Sequence, residues 1–211
     1  MSEPDKAKSW FFDAWSHFYD EAVIQRIVYR PVHDAVLEEL QGEQPARVLD
    51  LGCGTGLLTE RLRREAGIAS VTGADFSAGM LKQASRGRLD IAWVRASALA
   101  LPFAEASFEA VTSTEAFHWF PDQAAALREC RRVLAPGGRL LIAFVNPDFE
   151  AIGDATLLLS RLAGQPFYWP TPERMRSMLE AAGLTVLVQR RLSRPVSGWL
   201  LPPVLSVARK A

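Results

Sequence analysis

Val48-Leu49-Asp50-Leu51-Gly52-Cys53-Gly54-Thr55-Gly56-Leu57 is the stretch on which the fold turns. Arg47 to Leu51 reads as a short buried strand, and a helix is predicted from Leu57 to about Glu65. Glycines at 52, 54 and 56 let the connecting backbone turn tightly and approach a ligand without a Cβ in the way. A loop that hands a strand over to a helix lies where open α/β sheets bind ligands. The helix start adds free N–H groups and the positive end of a dipole.

The same alternation continues on both sides. Upstream, residues 9–40 read as helical with a break near Tyr29-Arg30-Pro31; Val32, Ala35, Val36 and Leu40 share a face, and Gly42 to Pro45 stops the helix. Downstream, strands are predicted at Ser70–Ala74, Ile91–Arg95, Phe108–Ser113 and Arg139–Val145, then at Leu184–Arg191 and Val204–Arg209. Helices are predicted at Ser77–Ser85, at Asp122–Leu134 ended by Pro136-Gly137-Gly138, and at Pro172–Ala182 ended by Gly183. Alternating strands and helices imply an α/β domain with a mainly parallel sheet covered on both faces. Residues 46–211 form that domain, and residues 1–45 are read as an N-terminal helical segment or lid.

The loop spacing separates two kinds of nucleotide ligand. A dinucleotide site reads GxGxxG and sets a pyrophosphate on the helix N-terminus. Here the spacing is GxGxG and an acid, Asp50, precedes the first glycine by two positions. A carboxylate there repels a pyrophosphate and suits a cationic amino group, directly or through water. S-adenosylmethionine carries an amino group and a sulfonium and no phosphate, so it is favoured over NAD. Asp75, 19 positions after Gly56 at the end of the second strand, is placed to accept both ribose hydroxyls.

Composition narrows the partners. Lys plus Arg and Asp plus Glu each total 24 in 211 residues, so no global charge attracts nucleic acid or an anionic membrane. The basic run Gln189 to Arg194 reads as a solvated strand edge. Two cysteines, Cys53 and Cys130, without CxxC spacing support neither a zinc site nor a disulfide framework, and no metal is expected. The charged start Met1-Ser2-Glu3-Pro4-Asp5-Lys6 and the lack of a membrane-length apolar run lead to the expectation of a cytoplasmic protein with no stable membrane insertion.

With these residues placed, the sequence resembles the class I S-adenosylmethionine-dependent methyltransferases, and within them the group that includes the ubiquinone/menaquinone-biosynthesis enzymes. The resemblance spans roughly Val48 to Phe144. It rests on the glycine loop, on Gly73-Ala74-Asp75-Phe76-Ser77 with Met80-Leu81, on Leu101-Pro102-Phe103, and on Arg131 to Gly138. It implies a Rossmann-like three-layer sandwich whose seven-stranded, mainly parallel sheet has an antiparallel last strand. It implies S-adenosyl-L-methionine as cofactor, held by Asp50, Gly52, Cys53, Gly54, Gly56, Asp75, Phe76, Met80, Ser97, Ala98 and Thr114. Met80 then packs on the adenine, with ordinary core packing as the other reading. Where the family has Gly-Asp-Ala before Leu-Pro-Phe, this chain has Ala96-Ser97-Ala98. A neutral serine in place of the acid predicts a weaker hydrogen bond to the adenine amino group.

The acceptor is predicted from rings. The fourth strand runs on into Thr114-Glu115-Ala116-Phe117-His118-Trp119, and its C-terminal end faces the cofactor pocket by the fold's geometry. His118 is the candidate general base, since an unperturbed imidazole titrates near neutrality; shaping the pocket is its other reading. Trp15, His17 and Tyr19, in an aromatic stretch from Trp10 to Tyr19, are expected to cover the acceptor or to dock on the core. Tyr168 and Trp169, in Gln165-Pro166-Phe167-Tyr168-Trp169-Pro170, are expected beside them. Asn146-Pro147-Asp148-Phe149 departs from the Asn-Pro-Pro-Tyr signature of base-methylating enzymes, so the partner expected is a small apolar or aromatic metabolite, methylated on oxygen or carbon, and not nucleic acid. The alternative is a noncatalytic methyltransferase-like binding protein that acts through a partner.

Overall fold

The computed structural model describes residues 29–86, 90–162, 167–193 and 202–211. The elements, in chain order, are α1 (Arg30–Gln41), β1 (Arg47–Leu51), α2 (Leu57–Arg64), β2 (Ser70–Asp75), α3 (Ala78–Ala84), β3 (Ala92–Arg95) and β4 (Phe108–Thr114). A 3-10 turn (Phe117–Trp119) leads to α4 (Gln123–Val133), β5 (Leu134–Val145), α5 (Glu150–Leu162), α6 (Pro172–Ala181), β6 (Leu184–Arg191) and β7 (Pro203–Lys210).

The strands form one seven-stranded sheet in the order β3-β2-β1-β4-β5-β7-β6. All neighbours are parallel except at β7, which runs antiparallel to both β5 and β6. This is the Rossmann-like sheet with an antiparallel last strand that the resemblance implies. The strand order reverses between β1 and β4, so the glycine loop after β1 opens at the switch point.

Two apolar layers flank the sheet, and the alternation of strand side chains feeds both. On β5, Leu140, Ile142 and Phe144 pack with α4 and α6 residues such as Leu127, Met175 and Leu179. Leu141 and Ala143 point the other way, onto Val32, Val36 and Leu40 of α1 and Leu58 and Leu62 of α2. On β1 the split is Leu49 and Leu51 against Val48. Asp50 shares the parity of Val48 and so faces α2, which decides its role below.

Helix starts follow the expected chemistry. The Ser77 hydroxyl, the Asp122 carboxylate and the Thr171 hydroxyl each accept a first-turn backbone N–H, and Pro31 and Pro172 sit in first turns where no donor is needed. Two departures stand out. Leu134, expected to close a helix, is instead the first residue of β5 opposite Phe108, and Pro136-Gly137-Gly138 forms an irregularity inside that strand with Gly137 at φ +75°. A helix over Glu150–Leu162 was not anticipated, because Phe149, Ile152, Leu158 and Leu159 face solvent and leave no apolar stripe toward the core. The basic run after Leu187 lies on the edge strand β6, where Arg190 pairs with Glu38 and Arg191 with Asp148.

Candidate functional site

The glycine loop is held from beneath. Gly52 and Cys53 both donate their N–H to the Ala74 carbonyl of β2, at 2.8 and 3.1 Å. Gly52, Gly54 and Gly56 have φ of +73°, +54° and +80°, a region that favours glycine. A Cβ on Gly52 would lie 2.4 Å from the Ala116 methyl, and one on Gly56 2.4 Å from the Trp93 ring. Gly54 is different: a Cβ there meets nothing within 4 Å. The loop thus packs tightly on the protein at its two ends and presents its middle to open space, which is the shape a ligand cradle needs.

Asp50 does not reach that space. It is 1% exposed, and its carboxylate accepts the Thr59 hydroxyl of α2 at 2.6 Å and the Thr112 hydroxyl of β4 at 3.1 Å. Thr112 is its direct partner in the β1–β4 register. Burial pushes its acidity to about pKa 6, with the two threonine hydrogen bonds pulling the other way. Asp50 therefore fastens β1 to α2 and β4 and positions the loop. Thr59 and Thr112, both fully buried, are site residues that sequence reasoning missed. Their signal was a hydroxyl on the apolar face of a helix and another on a buried strand.

Asp75 stands at the C-terminal end of β2. Its Oδ2 accepts the Gly54 N–H at 2.9 Å and its Oδ1 the Ser77 N–H at 2.8 Å. Those two bonds orient the carboxylate across the loop. Phe76 is half-buried beside it, while Met80 is buried on α3. Ser97 follows β3, accepts the Leu99 N–H at 3.3 Å and is half-buried; Ala98 is buried. Asp75 and Ser97 are thus ranged along one edge of the sheet, from β2 to β3.

On the other side of β1, the end of β4 meets the aromatic loop. Thr114 lines a cavity of about 30 Å³ together with Gly52, Cys53, Gly54, Thr55, Leu57 and Leu58, and with Tyr29 and His33 of the α1 region. Glu115 follows at φ +50°, uncommon for a non-glycine residue, and turns the chain into the 3-10 segment. His118 is 7% exposed and sits among rings: Trp119 at 5.2 Å, Phe144 and Trp169 at 6.0 Å, and Phe167 at 6.1 Å between centroids. Its Nδ1 is buried without a hydrogen bond, as is Nε1 of Trp169. The Tyr168 N–H donates to the His118 carbonyl at 3.0 Å, and the Gln123 amide donates to the Tyr168 carbonyl at 3.0 Å. The Tyr168 hydroxyl turns outward to Glu150.

Burial drives the His118 imidazole down to a pKa of about 3. A site this apolar holds the ring neutral at neutral pH. Trp15, His17 and Tyr19 lie outside the described residues, as do Gln165 and Pro166. His33 and Tyr29 were not anticipated at the loop; a histidine within the apolar stripe of α1 was their signal. Among the described residues no cluster of His, Cys, Asp and Glu can hold a metal ion. No described helix is long and apolar enough to cross a membrane.

Comparison with known proteins agrees with this geometry. Residues 49–142 match the family model described as "Methyltransferase domain". The chain is 39% identical over 171 residues to a demethylmenaquinone methyltransferase of Thermus thermophilus, covering 67% of this chain and 76% of that protein. It is 39% identical over 145 residues to a malonyl-[acyl-carrier protein] O-methyltransferase of Halorhodospira halophila, covering 65% of this chain and 47% of that protein. Its fold is similar, with a TM-score of 0.72 at 24% identity, to the Burkholderia thailandensis 1,6-didemethyltoxoflavin-N1-methyltransferase, over 100% of this chain and 92% of that one. A switch-point glycine cradle on a seven-stranded sheet, in a chain this similar to methyltransferases, places it in the class I S-adenosylmethionine-dependent methyltransferase family.

Proposed function

We propose that this enzyme methylates an oxygen or carbon of a small apolar or aromatic metabolite that lies against the rings around His118. The observation that carries the proposal is the ring cluster itself, built where the end of β4 meets the 167–170 loop and continuous in sequence with Thr114 of the glycine-loop cavity. Aromatic walls with few polar groups suit a planar or lipophilic ligand. Two relatives act, by their names, on demethylmenaquinone and on malonyl-[acyl-carrier protein]; the rings favour an acceptor of the first, apolar kind.

S-adenosylmethionine, when bound, supplies a methyl group made electrophilic by its sulfonium. The residues suited to hold it are the glycine loop around Gly54 with Cys53, Asp75 for the ribose hydroxyls, and Phe76, Met80, Ser97 and Ala98 around the adenine, with Thr114 at the opposite end. The acceptor has to be aligned and kept from water, and the rings of Trp119, Phe167 and Trp169 do both. His118 is kept neutral by the same rings and offers a hydrogen bond to a polar atom of the acceptor instead of taking its proton.

A screen of phenols, quinols and other ring acceptors with labelled methyl donor tests the reading. Transfer to at least one class is expected. Binding of S-adenosylhomocysteine with no transfer to any acceptor would favour the noncatalytic alternative. In the active pair, His118→Ala is expected to raise the acceptor KM about tenfold and to lower kcat less than fivefold, because a binding contact is lost and no base. A fall in kcat of two orders of magnitude at unchanged KM would restore His118 as the base.

A further inference from the structure

Three buried polar atoms around the ring cluster have no hydrogen-bond partner among the described residues: Nδ1 of His118, Nε1 of Trp169 and Oδ1 of Asn146. Asn146 directly follows β5 and is 1% exposed, yet methyl transfer as described so far gives it no part. Its amide nitrogen donates to the Pro170 carbonyl at 2.7 Å, which leaves the amide oxygen as an acceptor only. A buried polar atom left unmet is costly, and three in one place add up unless a ligand meets them.

The three come together because three segments do. The bond from Asn146 holds its side chain against the residue that follows Trp169. Trp169 and His118 lie ring to ring at 6.0 Å, and His118 stacks at 6.0 Å on Phe144, two positions before Asn146. The backbone is pinned as well: the Tyr168 N–H donates to the His118 carbonyl, and the Gln123 amide donates to the carbonyls of Phe117 and Tyr168. Phe167 walls the same spot, 5.0 Å from Trp119 and 5.1 Å from Trp169.

The chemistry of these atoms limits what they can bind. An indole N–H only donates and the free Asn146 oxygen only accepts, while a neutral imidazole nitrogen does either according to its tautomer. A carbonyl would satisfy Trp169 and leave Asn146 unmet; an ammonium would do the reverse. A carboxylate would set its charge against the Asn146 oxygen, and no cation among the described residues bears on this spot, since burial is the sole cause of the lowered pKa of His118. A hydroxyl gives and takes a hydrogen bond through one oxygen, and so serves both partners.

We infer that Asn146 and Trp169, beside His118, form a hydroxyl-reading site within the ring cluster, so that the methyl acceptor is a neutral ring compound bearing a free hydroxyl. The inference deepens the ring-acceptor reading and rests on it. Asn146 and Trp169 are specificity residues here: they select and orient the acceptor and undergo no chemistry. The tie from Asn146 to Pro170 keeps its oxygen turned to the rings.

Equilibrium dialysis of the protein saturated with S-adenosylhomocysteine tests this with 2-naphthol, 2-methylnaphthalene and 2-naphthoate. The first two are nearly equal in size and differ in a hydroxyl against a methyl. The unaltered protein is expected to bind 2-naphthol about tenfold more tightly than either of the others. Trp169→Phe keeps a ring and removes the N–H; it is expected to weaken 2-naphthol about five- to tenfold and to leave 2-methylnaphthalene within about twofold. Asn146→Leu is expected to weaken 2-naphthol similarly by removing the acceptor. Unchanged affinity for S-adenosylhomocysteine reports that both variants are folded. Equal binding of 2-naphthol and 2-methylnaphthalene by the unaltered protein, tighter binding of 2-naphthoate, or equal weakening of both neutral probes by Trp169→Phe overturns the inference. Binding of none of the three would instead overturn the ring-acceptor reading on which it stands.

Discussion

Trp93 decides how closely two neighbouring glycines must be kept. A Cβ on Gly73 would lie 2.5 Å from the Trp93 ring and 3.1 Å from the Cys53 sulfur, and one on Gly56 would lie 2.4 Å from the same ring. Only Gly56 also has a positive φ, at +80°. Gly73→Ala is therefore expected to cost about 2 kcal/mol by overpacking, and most of that should vanish when Trp93→Leu makes room. Gly56→Ala should stay destabilising by about 1–2 kcal/mol in the same background, because the left-handed backbone penalty remains. A double-mutant cycle of urea unfolding reads both. The glycine spacing of the loop is legible in the sequence. The tryptophan that enforces part of it comes from a strand 37 positions beyond Gly56, and only the β2–β3 register brings it there.

Among the elements, α1 does the most that its sequence does not announce. Its apolar stripe docks on β5 and β7, and Arg139 of β5 anchors it: the guanidinium donates to the Glu39 carbonyl and to the Glu39 carboxylate, each at 2.9 Å. Arg139 is 9% exposed and Glu39 18%, so the pair is largely withdrawn from water. Arg139→Ala is expected to cost about 2 kcal/mol by leaving Glu39 half-buried with only the more distant Arg190 guanidinium, at 3.6 Å, beside it, and adding Glu39→Leu should recover much of it. Chemical denaturation of the two variants measures this. Helix α5 illustrates the opposite failure of legibility. Its large apolar side chains Ile152, Leu158 and Leu159 face out, and Gly153 stands in its first turn, where a Cβ would lie 2.5 Å from the Trp169 carbonyl oxygen. Neither feature reads as a helix before the 167–170 loop is in place.

For the whole molecule, three buried titratable groups set how stability responds to mild acid. His33 and His118 have pKa values near 3 when folded, against an ordinary 6.5, so below pH 6.5 the unfolded chain binds more protons and stability falls. Asp50 works the other way: its folded value of about 6 lies above the ordinary 3.8, so the folded protein takes up a proton as pH drops through 6 and gains stability. Between pH 7 and 5 each histidine costs about 2 kcal/mol and Asp50 returns about 1 kcal/mol, leaving a net loss of about 2–3 kcal/mol. His118→Phe should remove about 2 kcal/mol of that loss, the His33 contribution remaining partly offset by Asp50, and Asp50→Asn should deepen it. Urea midpoints at pH 7 and pH 5 check both directions. Equal pH dependence in all three proteins would mean that these groups are not buried as described.

The order of the strands and of every described helix but α5, the GxGxG loop and the cofactor class were determined by the sequence alone. Each depends on residues close together in the chain, whose spacing carries its own geometry: three glycines, an acid two positions ahead, a second acid at the next strand end. The tertiary structure decided what those residues do. Asp50 was legible as an acid at the loop, but its contacts with Thr59 and Thr112 come from α2 and β4, and they turn it from a ligand contact into a clamp. His118 was legible as a titratable group beside the pocket, but the rings of Phe144, Phe167 and Trp169 arrive from distant segments, and the burial they produce lowers its pKa to about 3. His33 was an unremarked polar residue in an apolar stripe until the sheet order placed α1 over the loop. Proton affinity and hydrogen-bond partnership are properties of an environment, and this environment is assembled from segments the chain keeps far apart.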